Sequence, residues 1–224
     1  MSKKKFGDRY DGRRIRHGDP FNVIVPFIMK ERNDSQVLFD TEVDVSKIDA
    51  LIQEKRKNGE DIGFLDYLIA IIVRTISQYP RMNRFVAGRR IYARDDIRIS
   101  MVVKKKLNVD TDETSIKFKF NPTDTVQDVN RNIREKISEN KKEGINNNVD
   151  KIVGLLNKLP RCLFSATIEL LKAMDFDGVM PKAIHELSPF HTSVFVTNMG
   201  SIGAEPIYHH IYNFGNTSIY IALC

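Results

Sequence analysis

A hydroxyl, a carboxamide and two glycines fall close together in Thr197-Asn-Met-Gly-Ser-Ile-Gly203, directly after the apolar run Val194-Phe-Val196. The run reads as a short buried strand that breaks into a glycine turn at Gly200 and Gly203. A strand ending this way delivers Thr197 to the lip of the turn, where its hydroxyl can donate to an oxygen that gains negative charge. Acyl transfer is a chemistry such a donor serves, and it needs a base to take the acceptor's proton. Side chains alternate along a strand, so Asn198 points to the opposite face. A strand threonine with good β propensity is the plain reading of the same residue.

Histidines are the candidates for the base. His209 and His210 lie in Ile207-Tyr-His-His-Ile-Tyr-Asn-Phe-Gly215, which has the pattern of a second strand. If the glycine turn folds the chain back as a hairpin, His209 or His210 approaches Thr197. A packed or exposed strand histidine is the other reading of both. His191 precedes Thr197 by six residues, about 20 Å along one strand, and is set aside. His17 and His185 have no supporting context. Cys162 and Cys224 show neither metal-ligand spacing nor a flanking base, so no metal site and no thiol nucleophile is expected.

The elements that must hold this stretch follow from the apolar pattern. Thr217 to Leu223 reads as a third strand. Upstream, Phe21 to Met29 is an apolar run without a clean period. Val37, Phe39, Thr41, Val43 and Val45 alternate with more polar neighbours, which predicts a half-buried strand. Ser46 to Asp49 resembles a capping box and opens a helix with Ile48, Leu51, Ile52 and Lys55 on one face, stopping at Gly59. Phe64 to Tyr79 is apolar on nearly all sides and predicts a central buried helix, with Asp66 and Arg74 at its less buried margins. Met82 to Ala87 leads to Gly88, and two strand-like pieces follow it, the second at 97–103. Ile97, Ile99, Met101 and Val103 alternate, as do Ile116, Phe118 and Phe120. Thr125 to Asp128 opens a surface helix with a stripe at Val126, Val129, Ile133 and Ile137. Residues 151–187 give two or three helical pieces interrupted at Pro160, Gly178 and Pro181. Core or oligomer packing accounts for their apolar faces, and membrane-surface association is the alternative. Strands and helices mixed in this order predict an α/β protein, a two-layer sandwich with a mixed β-sheet covered by helices. Neither G-x-G-x-x-G nor a P-loop occurs.

With 224 residues the chain is long enough for one large domain or two small ones. Its 42% apolar and 29% charged residues are those of an ordinary globular protein. The formal charge is +6, but residues 1–16 alone carry seven basic side chains against Asp8 and Asp11, so the body is near neutral. This describes a basic N-terminal arm at 1–18, read as solvated, ahead of a single domain at 19–224 with a helical insertion at about 146–190. RNA or membrane contact is the minority reading of the arm, and a nucleic-acid partner is not expected. No run of 18 apolar residues exists to span a membrane, and no apolar region follows the N-terminal charges. A cytoplasmic protein with two free thiols is the expectation.

Four stretches resemble the acyltransferase (dihydrolipoyl transacylase) catalytic domain of 2-oxo acid dehydrogenase complexes, a domain of the chloramphenicol acetyltransferase-like fold. The stretch from Thr192 to Gly203 resembles its thr-ile-ser-asn-leu-gly signature. Ile28-Met-Lys-Glu-Arg32 with the 37–45 stretch resembles its arg-met-x-x-ser opening and val-asp-val-asp strand. Phe64 to Asn83 resembles its buried helix and pro-x-x-asn ending, and Ile97 to Val103 its val-asp-ile-ser-val-ala-val strand. The match covers roughly residues 25–145 and 190–223. It implies a homotrimer with sites at subunit boundaries, coenzyme A as acyl carrier, and a lipoylated protein or a small molecule as acyl acceptor. Thr197 falls on the family's oxyanion-donating serine. The family's his-x-x-x-asp-gly motif, which supplies the base, does not occur in these 224 residues. That departure leaves His209 and His210 as substitutes, and makes a non-catalytic trimeric scaffold or binding homologue the alternative. An uncovered sheet edge, and poor solubility of the isolated chain, are expected with it.

Overall fold

The computed structural model describes residues 3–104, 113–142, 154, 157–200, 203–205 and 207–224. Its main sheet is mixed, with β5 (Glu113–Phe120), β4 (Ile97–Lys104), β6 (Val194–Asn198) and β7 (Ile219–Leu223) side by side in that order. β4 and β5 pair antiparallel, whereas β4–β6 and β6–β7 are parallel. A smaller antiparallel sheet joins β1 (Gly12–Arg14), β3 (Arg90–Arg94) and β2 (Arg84–Ala87). The predicted α/β class is what the chain adopts.

One face of the main sheet makes the core. Ile97, Ile99 and Met101 of β4 and Ile116, Phe118 and Phe120 of β5 alternate onto it, with Val194 and Val196 of β6. They meet Ile69, Ile72, Val73 and Ile76 of α3 (Phe64–Gln78) and Val129 and Ile133 of α4 (Val126–Lys142). Asp66 is buried rather than marginal. Its carboxylate accepts from the Gly63 amide at 2.8 Å and from Asn130 Nδ2 at 2.9 Å, which caps α3 and ties it to α4. Thr125 and Asp128 cap α4 as the sequence indicates.

The hairpin between β2 and β3 turns at Gly88 and Arg89, both with positive φ (53° and 56°). A Cβ on Gly88 would meet the Phe176 carbonyl oxygen at 2.2 Å, so only glycine lets α5 (Arg161–Asp177) lie against this turn. Gly178 ends α5 in the left-handed conformation, and α6 (Lys182–Leu187) follows Pro181. The breaks at Pro160, Gly178 and Pro181 therefore fall where the sequence puts them. The insertion's earlier part lies mostly outside the described residues.

Two expectations are corrected. Residues 37–45 form no strand: they run along the surface with Val37 83% and Phe39 81% exposed. A strand needs a hydrogen-bonded neighbour, and among the described residues this stretch is held through side chains, Gln36 accepting from the Ile211 amide and Asp40 from the Tyr208 hydroxyl. The apolar run at 21–29 is a helix, α1 (Pro20–Ile28), opened by Asp19 accepting from the Phe21 amide at 2.9 Å, and the helix expected from Ser46 is α2 (Ser46–Lys57). Most of the apolar surface of α1 faces solvent. Finally, the basic N-terminal stretch is not a solvated arm throughout, because β1 pairs with β3, and Arg9 and Asp11 are buried.

Candidate active site

Thr197 is half-buried near the end of β6, on the face of the sheet opposite the α3–α4 core. Register places Phe195 and Thr197 beside Tyr220 and Ala222 of β7, and Phe195 beside Ser100 of β4. Residues 207–215 are irregular chain, not a strand, and β7 runs parallel to β6. The expected hairpin is thus absent, because a parallel neighbour needs a crossover. That crossover nevertheless lays His209 on the same face. Its ring stacks on Tyr220 (centroids 5.4 Å, 22°) and lies 6.0 Å from Phe195.

His209 Nδ1 lies 2.8 Å from the His210 carbonyl oxygen. That acceptor assigns the proton to Nδ1 and leaves the Nε2 lone pair available. His210 is more exposed and packs on His209 and Tyr212 rather than on the strand residues. Of the two histidines, His209 is the one placed over the Phe195–Tyr220 pair.

A second constellation gathers before the starts of β6 and β7, around Thr192 and Asn216. The Asp11 carboxylate accepts from Asn216 Nδ2 at 2.6 Å, His185 Nε2 at 3.0 Å, Arg9 Nε at 3.2 Å and Arg94 Nη1 at 3.3 Å. Burial alone would raise its pKa, but the bond from His185 and the charges of Arg94 and Arg9 hold it well below the usual carboxylate range. Arg94 also donates to the Thr192 and Asn216 carbonyls and to Asn216 Oδ1. Burial pushes Arg94 down to about 10, so it remains charged at neutral pH. Arg9 reaches on to Asp175 of α5, joining the N-terminal segment to the helical insertion.

His191 is fully buried in this cluster, its Nδ1 2.7 Å from Ser188 Oγ and its ring 4.3 Å from that of His185. Nε2 lies 3.2 Å from Asp175 Oδ2 without hydrogen-bond alignment. Burial pushes its pKa down from 6.5 to about 4, against the pull of Asp175. The unfolded chain therefore takes up this proton first as pH falls, and stability drops between pH 6.5 and 4. The depressed Asp11 extends the loss below pH 4, since the unfolded carboxylate protonates before the folded one. At about 1.4 kcal/mol per pKa unit, the His191 contribution is about 3 kcal/mol. Urea titrations at pH 7 and pH 4.5 should show a lower midpoint in acid, and a flat profile would contradict the burial of neutral His191.

A cleft of about 370 Å³ opens elsewhere, between Val25 of α1, Met29 just after it, Arg32, Arg89 and Phe176. It borders Thr217 and Ser218 before β7, whereas Thr197 pairs with Ala222. At 3.3 Å per residue the two places lie about 13 Å apart along the strand. Among the described residues no group of histidine, cysteine or acidic side chains has metal-binding geometry, and no helix is long and apolar enough to cross a membrane. His17 lies on the exposed N-terminal stretch, and both cysteines are exposed.

No protein-family model matches the chain, and no curated protein matches it. Solved structures are similar to it, these two among them. One is a truncated catalytic core of the 2-oxoacid dehydrogenase multienzyme complex from Thermoplasma acidophilum, at 16% identity and TM-score 0.50, over 94% of this chain and 80% of that one. The other is a probable dihydrolipoamide acetyltransferase from Listeria monocytogenes, at 14% identity and TM-score 0.43, over 73% of this chain. The chain spans about half (52%) of the Listeria protein's length. The chain thus has the fold of the Thermoplasma catalytic core.

Proposed function

We propose that the chain is a coenzyme A-dependent acyl-transfer protein acting on a lipoyl thiol or a small-molecule acceptor. The observation that supports this reading is the shared sheet face: Thr197 lies one step along β6 from Phe195, and His209 stacks over the Phe195–Tyr220 pair. The apolar rings suit an acyl chain. His209 Nε2 takes the proton of the acceptor and returns it to the departing thiol. Thr197 Oγ1 donates to the acyl oxygen on which negative charge collects. Coenzyme A, when bound, supplies the activated acyl group, so the protein has only to position, deprotonate and stabilise.

Self-association into a homotrimer belongs to the same proposal. Its support is the apolar surface of α1, where Phe21 and Ile28 are 69% and 68% exposed, continued by residues 37–43. Steady-state release of coenzyme A from acetyl-coenzyme A, with dihydrolipoamide as acceptor, tests the reading. Turnover above the uncatalysed rate is expected. Binding of coenzyme A without turnover would overturn the enzyme and leave a binding homologue of the same fold.

A further inference from the structure

On the Thr197 face of the sheet, Lys117 of β5 stands opposite Ser100 of β4, which in turn pairs with Phe195 of β6. Lys117 is half-buried, and its Nζ donates one hydrogen bond, 2.9 Å long, to the His185 carbonyl oxygen. No ion pair with a carboxylate is seen for it among the described residues. The nearby acid of α6, Glu186, is already engaged by Arg98 Nη1 at 2.7 Å and by the Tyr10 hydroxyl. Arg98 of β4 and Arg94 of β3 add positive charge on the same side, with Asp11 further in. The Ser100 hydroxyl beneath is buried without a partner.

An amine held this way differs from a surface lysine. One N–H is fixed by a backbone carbonyl, and desolvation with neighbouring guanidinium groups disfavours the ammonium form. A lysine in such a setting is a nucleophile near neutral pH. We propose that Lys117 is a site of covalent acylation, its amine accepting the acyl group of a thioester.

The neutral Nζ attacks the thioester carbonyl carbon, a C–N bond forms and the C–S bond breaks. The proton lost from nitrogen ends on the departing sulfur, giving an amide and a free thiol. No oxidant or reductant is involved. The choice of a thioester rests on the acyl-transfer reading above, whereas the reactivity of the amine does not. Burial first, then the charge of Arg98, pushes the Lys117 amine down to about 7, with Glu186 and Asp11 opposing and Arg94 assisting. Much of it is therefore neutral at pH 7, against about one part in 2,500 for an ordinary lysine.

The experiment is peptide-resolved mass spectrometry of the intact chain after brief exposure to S-acetyl-N-acetylcysteamine at pH 6 to 9. Reductive methylation with formaldehyde runs in parallel as an acyl-independent probe of the amine. Lys117 should acetylate at least about tenfold faster than Lys119 of the same strand at pH 7, with a rate that levels off above pH 7. Lys117→Arg should remove that peptide's label, and the wild-type map stands alone if the variant fails to fold. Early methylation without acetylation would overturn the acyl-acceptor assignment while leaving a reactive amine. Equal labelling of Lys117 and Lys119 by both reagents would overturn the whole inference. Neither outcome depends on turnover at Thr197, so failure of the acyl-transfer reading is recognised separately.

Discussion

Replacing Asp11 by alanine is expected to lower folding stability by about 3–5 kcal/mol, the cost of leaving buried cations without their counter-charge. Asp11 is the one carboxylate that Arg9, Arg94 and His185 share, and its side chain has no exposure to water. Arg9 would keep Asp175, but Arg94 would keep only carbonyl and amide oxygens. Asn216 and His185 would each lose an acceptor in the interior, adding unsatisfied donors. Asp11→Asn retains the volume and should fall between the wild type and alanine. Urea denaturation measures the loss, and amide exchange locates it. Protection should disappear first in β1, which this cluster helps to hold on β3. A loss under 1 kcal/mol would mean that desolvation of the charges cancels their attraction.

Much of the fold was legible because apolar alternation and burial coincide in the central strands. Ile97, Ile99 and Met101, like Ile116, Phe118 and Phe120, alternate because one sheet face meets α3 and α4. The same pattern misled at Val37 to Val45, where no strand lies alongside to accept the hydrogen bonds. Alternation reports a two-sided environment, not a partner. The exposed flank of that stretch and of α1 is the kind of surface another chain can cover.

The Asp11 cluster left almost no signal in the sequence. Its members are brought together across as many as 205 positions, and net charge counts Arg9 and Asp11 as solvated. The one hint was that an acid interrupts the basic stretch, which charge arithmetic treats as a subtraction. His185 has no context in the sequence and His191 lies too far from Thr197 along the strand, and the neighbours of both come from α5 and the N-terminal segment. His209 and His210 were singled out through a hairpin that parallel pairing excludes, and His209 reached the Thr197 face through the crossover instead.

The second large effect is expected at Thr197. Removing one donor from an oxyanion site costs about 10²- to 10³-fold in kcat. Thr197→Ala should show that loss with KM little changed, because the hydroxyl matters most when charge has moved to oxygen. Thr197→Ser keeps the hydroxyl and removes only a methyl group from a half-buried position, so its kcat should stay near the wild type. Melting curves of both variants separate folding from chemistry. The comparison of Thr197→Ala with Thr197→Ser, by the initial rate of acyl transfer from acetyl-coenzyme A to dihydrolipoamide, tests the central claim most directly. A collapse of kcat in alanine with recovery in serine is the expected result. Equal rates in the two variants, or no catalysed rate in the wild type, would contradict acyl transfer at Thr197.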